Sequence, residues 1–160
     1  RQNNHPVAIR VPATELAYGY RPVDADYSQL NRYQTVRKGS RVAILGLGSF
    51  FGLAEETAAL LKEQKGIEAT LINPRYITGV DEALMEELKA DHELVVTLED
   101  GVLDGGFGEK IARYFGCSPM KVLNFGARKE FVDRFDVQEF LEKNHLTAPQ
   151  IAADILQQLA

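Results

Sequence analysis

The chain has 160 residues, enough for one domain that buries about 70 % of the surface its unfolded form exposes. Eighteen basic residues against 23 acidic ones leave a net charge of -5, and with no Lys/Arg-rich run this argues against nonspecific nucleic-acid binding, which requires a basic surface. No apolar run reaches the roughly 20 residues of a membrane span, and the lone Cys117 rules out an internal disulfide or a CxxC zinc site and points to a reducing cytoplasm.

Residues 7–11, Val-Ala-Ile-Arg-Val, read as a strand closed by Pro12, which cannot donate to a ladder. No initiator Met and no signal-peptide pattern stand before it, and it has nothing upstream to pair with, so a fragment of a longer chain is expected. Residues 13–32 lack periodicity and read as an interdomain linker. Its rings Tyr18, Tyr20 and Tyr27, with Tyr33 beyond, suit an interface of amphipathic side chains. Residues 33–38 then form a short edge strand, and residues 41–45 a second strand.

Gly46, Gly48 and Gly52 mark a strand-to-helix turn, followed by Leu53, Ala54, Thr57, Ala58, Leu60 and Leu61 at helical spacing and by Gly66 as a stop. The turn reads GxGxxxG, lacks the dinucleotide spacing and carries no P-loop lysine. A tight turn of the kind every parallel sheet needs is therefore favoured over phosphate binding. Residues 67–72 are the third strand. Asp81 caps a helix through Lys89 that buries Leu84, Met85 and Leu88.

The stretch 93–116 organises the rest. Residues 94–98, Leu-Val-Val-Thr-Leu, read as a buried strand that delivers Glu99 and Asp100 to its carboxyl end. Gly105, Gly106 and Gly108 permit a tight corner, and Ile111, Ala112 and Phe115 give the next helix an apolar face. Residues 120–125 form the fifth strand. Asp136 with Glu139, and Thr147 with Gln150, read as capping pairs for two closing helices, the second burying Ile151, Ile155, Leu156 and Leu159. The alternation predicts an α/β three-layer sandwich with a mostly parallel five-stranded sheet and one antiparallel edge strand.

No single residue compels a catalytic reading. Glu99 and Asp100 are adjacent, so in an extended segment they point to opposite sides and make a poor acid/base pair; capping of the glycine corner, or an interdomain hydrogen bond, is the expected role. His5, His92 and His145 are expected as solvated turn residues, and Cys117 as a loop or buried thiol. Asp133 and Arg134 read as a solvent ion pair or as part of a substrate channel with Phe135.

Three segments in order carry a resemblance. Residues 73–81, Asn-Pro-Arg-Tyr-Ile-Thr-Gly-Val-Asp, and Thr97-Leu98-Glu99-Asp100 followed by Gly105-Gly106-Phe107-Gly108 resemble the C-terminal domain of transketolase-like thiamine-diphosphate enzymes. Residues 6–12 resemble the strand that ends the preceding pyrimidine-binding domain in 1-deoxy-D-xylulose-5-phosphate synthases. The resemblance implies three pieces: residues 1–12 as the end of that domain, 13–32 as linker, and 33–160 as a transketolase C-terminal-like domain. It further implies a parent transferase that moves a two-carbon unit to an aldehyde, with thiamine diphosphate and Mg²⁺ held by upstream domains and no cofactor, metal or catalytic residue on this fragment. The fragment alone would be inactive. Its partners would be the upstream domains of its own chain and a second copy in a homodimer, with neither nucleic acid nor membrane involved.

By the same resemblance Glu99, Asp100, Gly105, Gly106 and Gly108 form an interdomain corner, and Arg10 stands near the substrate phosphate in a largely structural role. Two positions depart from the pattern. Ala13 replaces the family's second Arg and so removes a bidentate phosphate partner, and Gly79 replaces a Pro. The alternative is the C-terminal domain of a 2-oxoacid dehydrogenase E1 β subunit, which would dock an acyltransferase core.

Overall fold

A computed structural model describes residues 28–160 and Pro6. The expected strand at 7–11 with Arg10, and Ala13 with the linker as far as Tyr27, lie outside the described residues.

Five strands form one sheet in the order β1-β3-β2-β4-β5. They are β1 (Gln34–Arg37), β2 (Arg41–Gly46), β3 (Thr70–Asn73), β4 (His92–Val102) and β5 (Lys121–Ala127). The last four run parallel, while β1 is antiparallel to β3 with Gln34 opposite Asn73. The sheet is the expected one, antiparallel edge included.

Strand side chains alternate between two cores, as period two requires. Val42, Ile44, Leu94, Val96 and Leu98 meet helices α1 (Phe51–Lys65) and α5 (Ala148–Leu159) on one face. Ala43, Leu45 and Val95 meet α2 (Glu82–Leu88) and α3 (Phe107–Phe115) on the other. With both faces covered, the inner strands have to be apolar throughout, and each large side chain they bury contributes about 1.5–3 kcal/mol. A short helix, α4 (Val137–Lys143), precedes α5.

The helix ends follow local chemistry. Gly66 ends α1 at φ 66°, a left-handed conformation natural to glycine. Asp136 accepts the Glu139 amide at 3.0 Å and starts α4. Thr147 does not cap α5: its hydroxyl donates instead to Gln150 Oε1 at 2.7 Å. Pro149 in the first turn lacks one of the amides that such a cap would take.

Several expectations need correction. β4 does not stop at Leu98 but shifts register and continues to Val102, which pairs with Ala127, so Glu99 and Asp100 are strand residues. β3 begins at Thr70 rather than at residue 67, because pairing to β2 starts where Thr70 meets Ala43. Tyr33 is no interface ring; it is buried against Phe107 at 6.2 Å between ring centres. His92 is no solvated turn residue either, its side chain being only 4 % exposed. Ala148 and Ala152 take core positions in α5, leaving Leu156 and Leu159 partly buried.

Candidate functional site

In an open α/β sheet, ligands bind outside the carboxyl ends of the strands where the strand order reverses. Here β2 leads to β3 on one side, and the chain then crosses over to β4 on the other. The switch point therefore lies between the ends of β2 and β4, where the glycine turn of residues 46–52 meets the corner that begins at Glu99.

That crevice is filled by the chain's own groups. Leu47 N–H donates to Leu98 O at 2.9 Å, which extends the parallel pairing past β2. Gly46 approaches α1 so closely that a Cβ would stand 2.8 Å from Phe51 Cα. Glu99, 3 % exposed, turns its side chain onto the start of α3. One carboxylate oxygen accepts the Phe107 amide and the other the Gly108 amide, both at 2.8 Å. A negative group at a helix N-terminus satisfies donors that lack intrahelical partners and complements the helix dipole.

The glycines make room for this carboxylate. A Cβ on Gly106 would lie 2.5 Å from Glu99 Oε2, and one on Gly108 would lie 2.7 Å from Thr97 Oγ1. Gly105 turns the chain at φ 75°. Asp100 points away to the surface and accepts the Ser49 hydroxyl at 3.1 Å. The structure thus brings Glu99, Asp100, Gly105, Gly106 and Gly108 into one corner, with the two acids on opposite sides. Its chemistry is capping.

A diphosphate does not fit these residues. The α3 amides that could hold it are taken by Glu99, and Asp100 adds negative charge beside the other glycine turn. Among the described residues no cluster of three His, Cys, Asp or Glu side chains is placed to hold a metal ion.

A second buried carboxylate went unrecognised in the sequence except as a cap. Asp81 is 6 % exposed. It accepts Tyr33 N–H at 2.9 Å and Arg32 Nη1 at 3.0 Å, besides the Leu84 amide at 3.4 Å. Tyr33 Oη donates to Gly79 O at 2.6 Å, and Thr78 Oγ1 to Asn31 Oδ1 at 2.6 Å. These bonds fasten the chain entering β1 to the segment that follows β3. Burial, reinforced by Asp81, pushes the Tyr33 phenol up. Spacing could have revealed the cap but not the partners, which lie nearly 50 positions away.

A polar groove of about 490 Å³ opens beside this fastening, lined by Thr78, Glu82, Lys110, Arg113 and Tyr114. Lys110 Nζ donates to Ile77 O at 2.5 Å. Tyr114 hydrogen-bonds Glu86, whose carboxylate pushes the phenol up to about 12. Lys89 first, and Tyr114 second, hold the Glu86 carboxyl below its usual range.

The remaining candidates are scattered. Cys117 is exposed between α3 and β5. His145, half exposed, pairs with Asp154 at 2.9 Å. His92 Nε2 and the Thr70 hydroxyl share a hydrogen bond at 2.8 Å, and that hydroxyl accepts the Gly39 amide at 2.9 Å. Asp133, Arg134 and Phe135 sit in the loop between β5 and α4.

No helix among the described residues is long and apolar enough to cross a membrane. The 1-deoxy-D-xylulose-5-phosphate synthase of Prochlorococcus marinus is 32% identical over 163 residues, covering 97% of this chain and 24% of the relative. That of Pseudoalteromonas translucida is 32% identical over 133 residues, covering 82% and 20%. The chain thus spans about a quarter or less of the length of these relatives. A split-gene transketolase, described as an inactive beta4 tetramer, superposes with a TM-score of 0.72 at 28% identity, covering 81% of this chain and 42% of that one. Transketolase from Campylobacter jejuni shares the fold, with a TM-score of 0.55 at 18% identity over 86% of this chain and 20% of its own. Residues 31–151 match the family model described as transketolase, C-terminal domain, and the chain belongs to that family.

Proposed function

We propose that this chain is the C-terminal part of a thiamine-diphosphate-dependent transferase of the 1-deoxy-D-xylulose-5-phosphate synthase or transketolase type. Its work there is architectural: it enlarges a homodimer interface and braces the active-site entrance. Residues 1–12 end the preceding pyrimidine-binding domain, 13–32 link it, and 33–160 form the C-terminal domain. Thiamine diphosphate and Mg²⁺ bind in the upstream domains, and the parent enzyme works in the cytoplasm without nucleic acid or membrane. Arg10 lies near the substrate phosphate, and the corner of Glu99, Asp100, Gly105, Gly106 and Gly108 faces the upstream domains.

The observation that carries this reading is the collinear match of 97% of the chain to a synthase of which it covers only 24%. The filled switch point supports it, because a corner whose amides are used internally is suited to bracing and not to holding a cofactor. The inactive tetramer of the split-gene transketolase supports both self-association and inactivity in isolation. The relatives named above are synthases, which leaves the dehydrogenase β-subunit reading the weaker of the two.

The test is to supply the intact gene product with pyruvate, glyceraldehyde 3-phosphate, thiamine diphosphate and Mg²⁺. Formation of 1-deoxy-D-xylulose 5-phosphate is expected, with none when the cofactor is omitted. An intact, folded and cofactor-loaded protein that forms no product would refute the synthase assignment.

A further inference from the structure

The crevice at the switch point is filled, but the groove of about 490 Å³ beside the Asp81 fastening is open. Its volume lies within the range of about 300–1,000 Å³ typical of small-molecule sites. Helix α3 contributes Lys110 and Arg113 to it. Standing three positions apart, they share one face of the helix, with Cβ atoms roughly 5–6 Å from each other. The segment after β3 contributes Thr78 and Gly79, and Asn31 lies against that segment. A Cβ on Gly79 would stand 2.5 Å from Asn31 Nδ2, so the bare glycine is what admits the Asn31 amide to the groove.

The groove holds more donors than its own acceptors satisfy. Lys110 gives one N–H to Ile77 O at 2.5 Å and keeps its others. Arg113 is exposed, and its guanidinium has no hydrogen bond or ion pair among the described residues. The Thr78 hydroxyl takes Asn31 Oδ1 at 2.6 Å, which leaves the Asn31 amide with N–H groups to offer. Glu82 is the one carboxylate in the lining, and it pairs with neither cation. Two cations against one carboxylate make the groove positive in a chain whose net charge is -5. A cation in the last turn of α3 also complements the helix dipole, but that role asks for neither Lys110 one turn earlier nor the Asn31 amide beside it.

A phosphate answers this set of donors better than a carboxylate does. It carries enough oxygens to accept from Lys110 and Arg113 together, and a guanidinium meets two of them in parallel bonds. A hydroxyl on the same ligand would then donate to Glu82. We propose that the groove between α3 and the segment after β3 binds a small hydroxylated phosphate monoester, with Lys110 and Arg113 on the phosphate and Glu82 on a hydroxyl. This site goes beyond the architectural role described above and requires no activity of the parent enzyme.

The test is acetylation of the intact protein's lysines by acetic anhydride, read residue by residue by mass spectrometry, with glycerol 2-phosphate as the probe at constant ionic strength. Labelling of Lys110 is expected to slow saturably as the probe is added, while Lys38, on the opposite edge of the sheet, labels at an unchanged rate. Arg113→Ala, a change at an exposed position, is expected to raise the half-protecting concentration about tenfold, as for the loss of one charge-assisted pair. Methyl phosphate, which lacks the hydroxyls, and glycerate, which lacks the phosphate, should both protect less than glycerol 2-phosphate. Absence of protection, equal protection of Lys38, or protection unchanged in Arg113→Ala would overturn the site. Equal protection by methyl phosphate or by glycerate would overturn the ligand class. Because the label reads Lys110 itself, either result stands whether or not the intact protein forms 1-deoxy-D-xylulose 5-phosphate.

Discussion

The two edges of the sheet are finished in different ways. At the amino edge the backbone closes on itself: Ser40 N–H donates to Glu68 O at 2.9 Å, and a Cβ on Gly39 would stand 1.8 Å from that same oxygen. Outside this seam lie ion pairs, Arg41 with Glu93 and Lys62 with Glu68, both at 2.7 Å. At the carboxyl edge two buried carboxylates, Glu99 and Asp81, turn inward onto backbone amides, and the apolar side chains turn outward. An edge rimmed with ion pairs is content in water. An edge that spends its acids on internal caps and shows phenylalanine outside is suited to being covered.

Substitutions that break each finish should differ in size. The largest effect is expected at the amino edge, where Gly39→Ala forces a methyl into Glu68 O; backbone cannot yield as a side chain does, and a loss of about 4 kcal/mol is expected, above the usual overpacking range. Urea unfolding reads it directly, and an unchanged midpoint would show that the seam is slack. Glu99→Ala comes next, at about 3 kcal/mol, because it strands two buried amides, while Glu99→Gln keeps one good acceptor and should lose about half of that. Equal losses for the two variants would contradict the capping role. Asp81→Ala should lose about 2 kcal/mol through the Tyr33 amide and the α2 cap.

The smallest effect is one of pH. With its folded pKa pushed up to about 12 from an ordinary 10.0, Tyr114 contributes stability that is complete below pH 10 and lost as pH rises through 12. Tyr114→Phe should therefore unfold earlier than wild type at pH 9, with the gap closing by pH 12. A gap that stayed constant in thermal melts at the two pH values would remove Tyr114 as its source.

The interior strands and several helix ends were largely legible in the sequence, because their signals are local. Gly66 ends a helix by its own φ, Asp136 caps one three residues away, and the runs at Val42 and Leu94 are apolar throughout because both faces of each strand are covered. At the carboxyl edge the signals come from far along the chain. Nothing in Glu99-Asp100-Gly101 favours a strand, and it is the amides of Phe107 and Gly108, with the pairing of Val102 to Ala127, that hold it extended. Tyr33 reads as a linker ring until Asp81 and Gly79 are seen to fix it in the core. Phe135 reads in the sequence only as a loop residue beside Asp133 and Arg134; it is the fold that shows how far it and Phe131 stand exposed.

The claim that this domain supplies architecture and no reacting group is tested most directly at Glu99. A general acid or base typically contributes roughly 10²–10⁴-fold to the rate. In the intact enzyme, at a temperature where the variant is folded, Glu99→Gln is expected to keep kcat within about threefold of wild type, well short of that contribution, while lowering the unfolding midpoint. A fall in kcat of a hundredfold or more with the midpoint unchanged would place Glu99 in the chemistry and contradict the account.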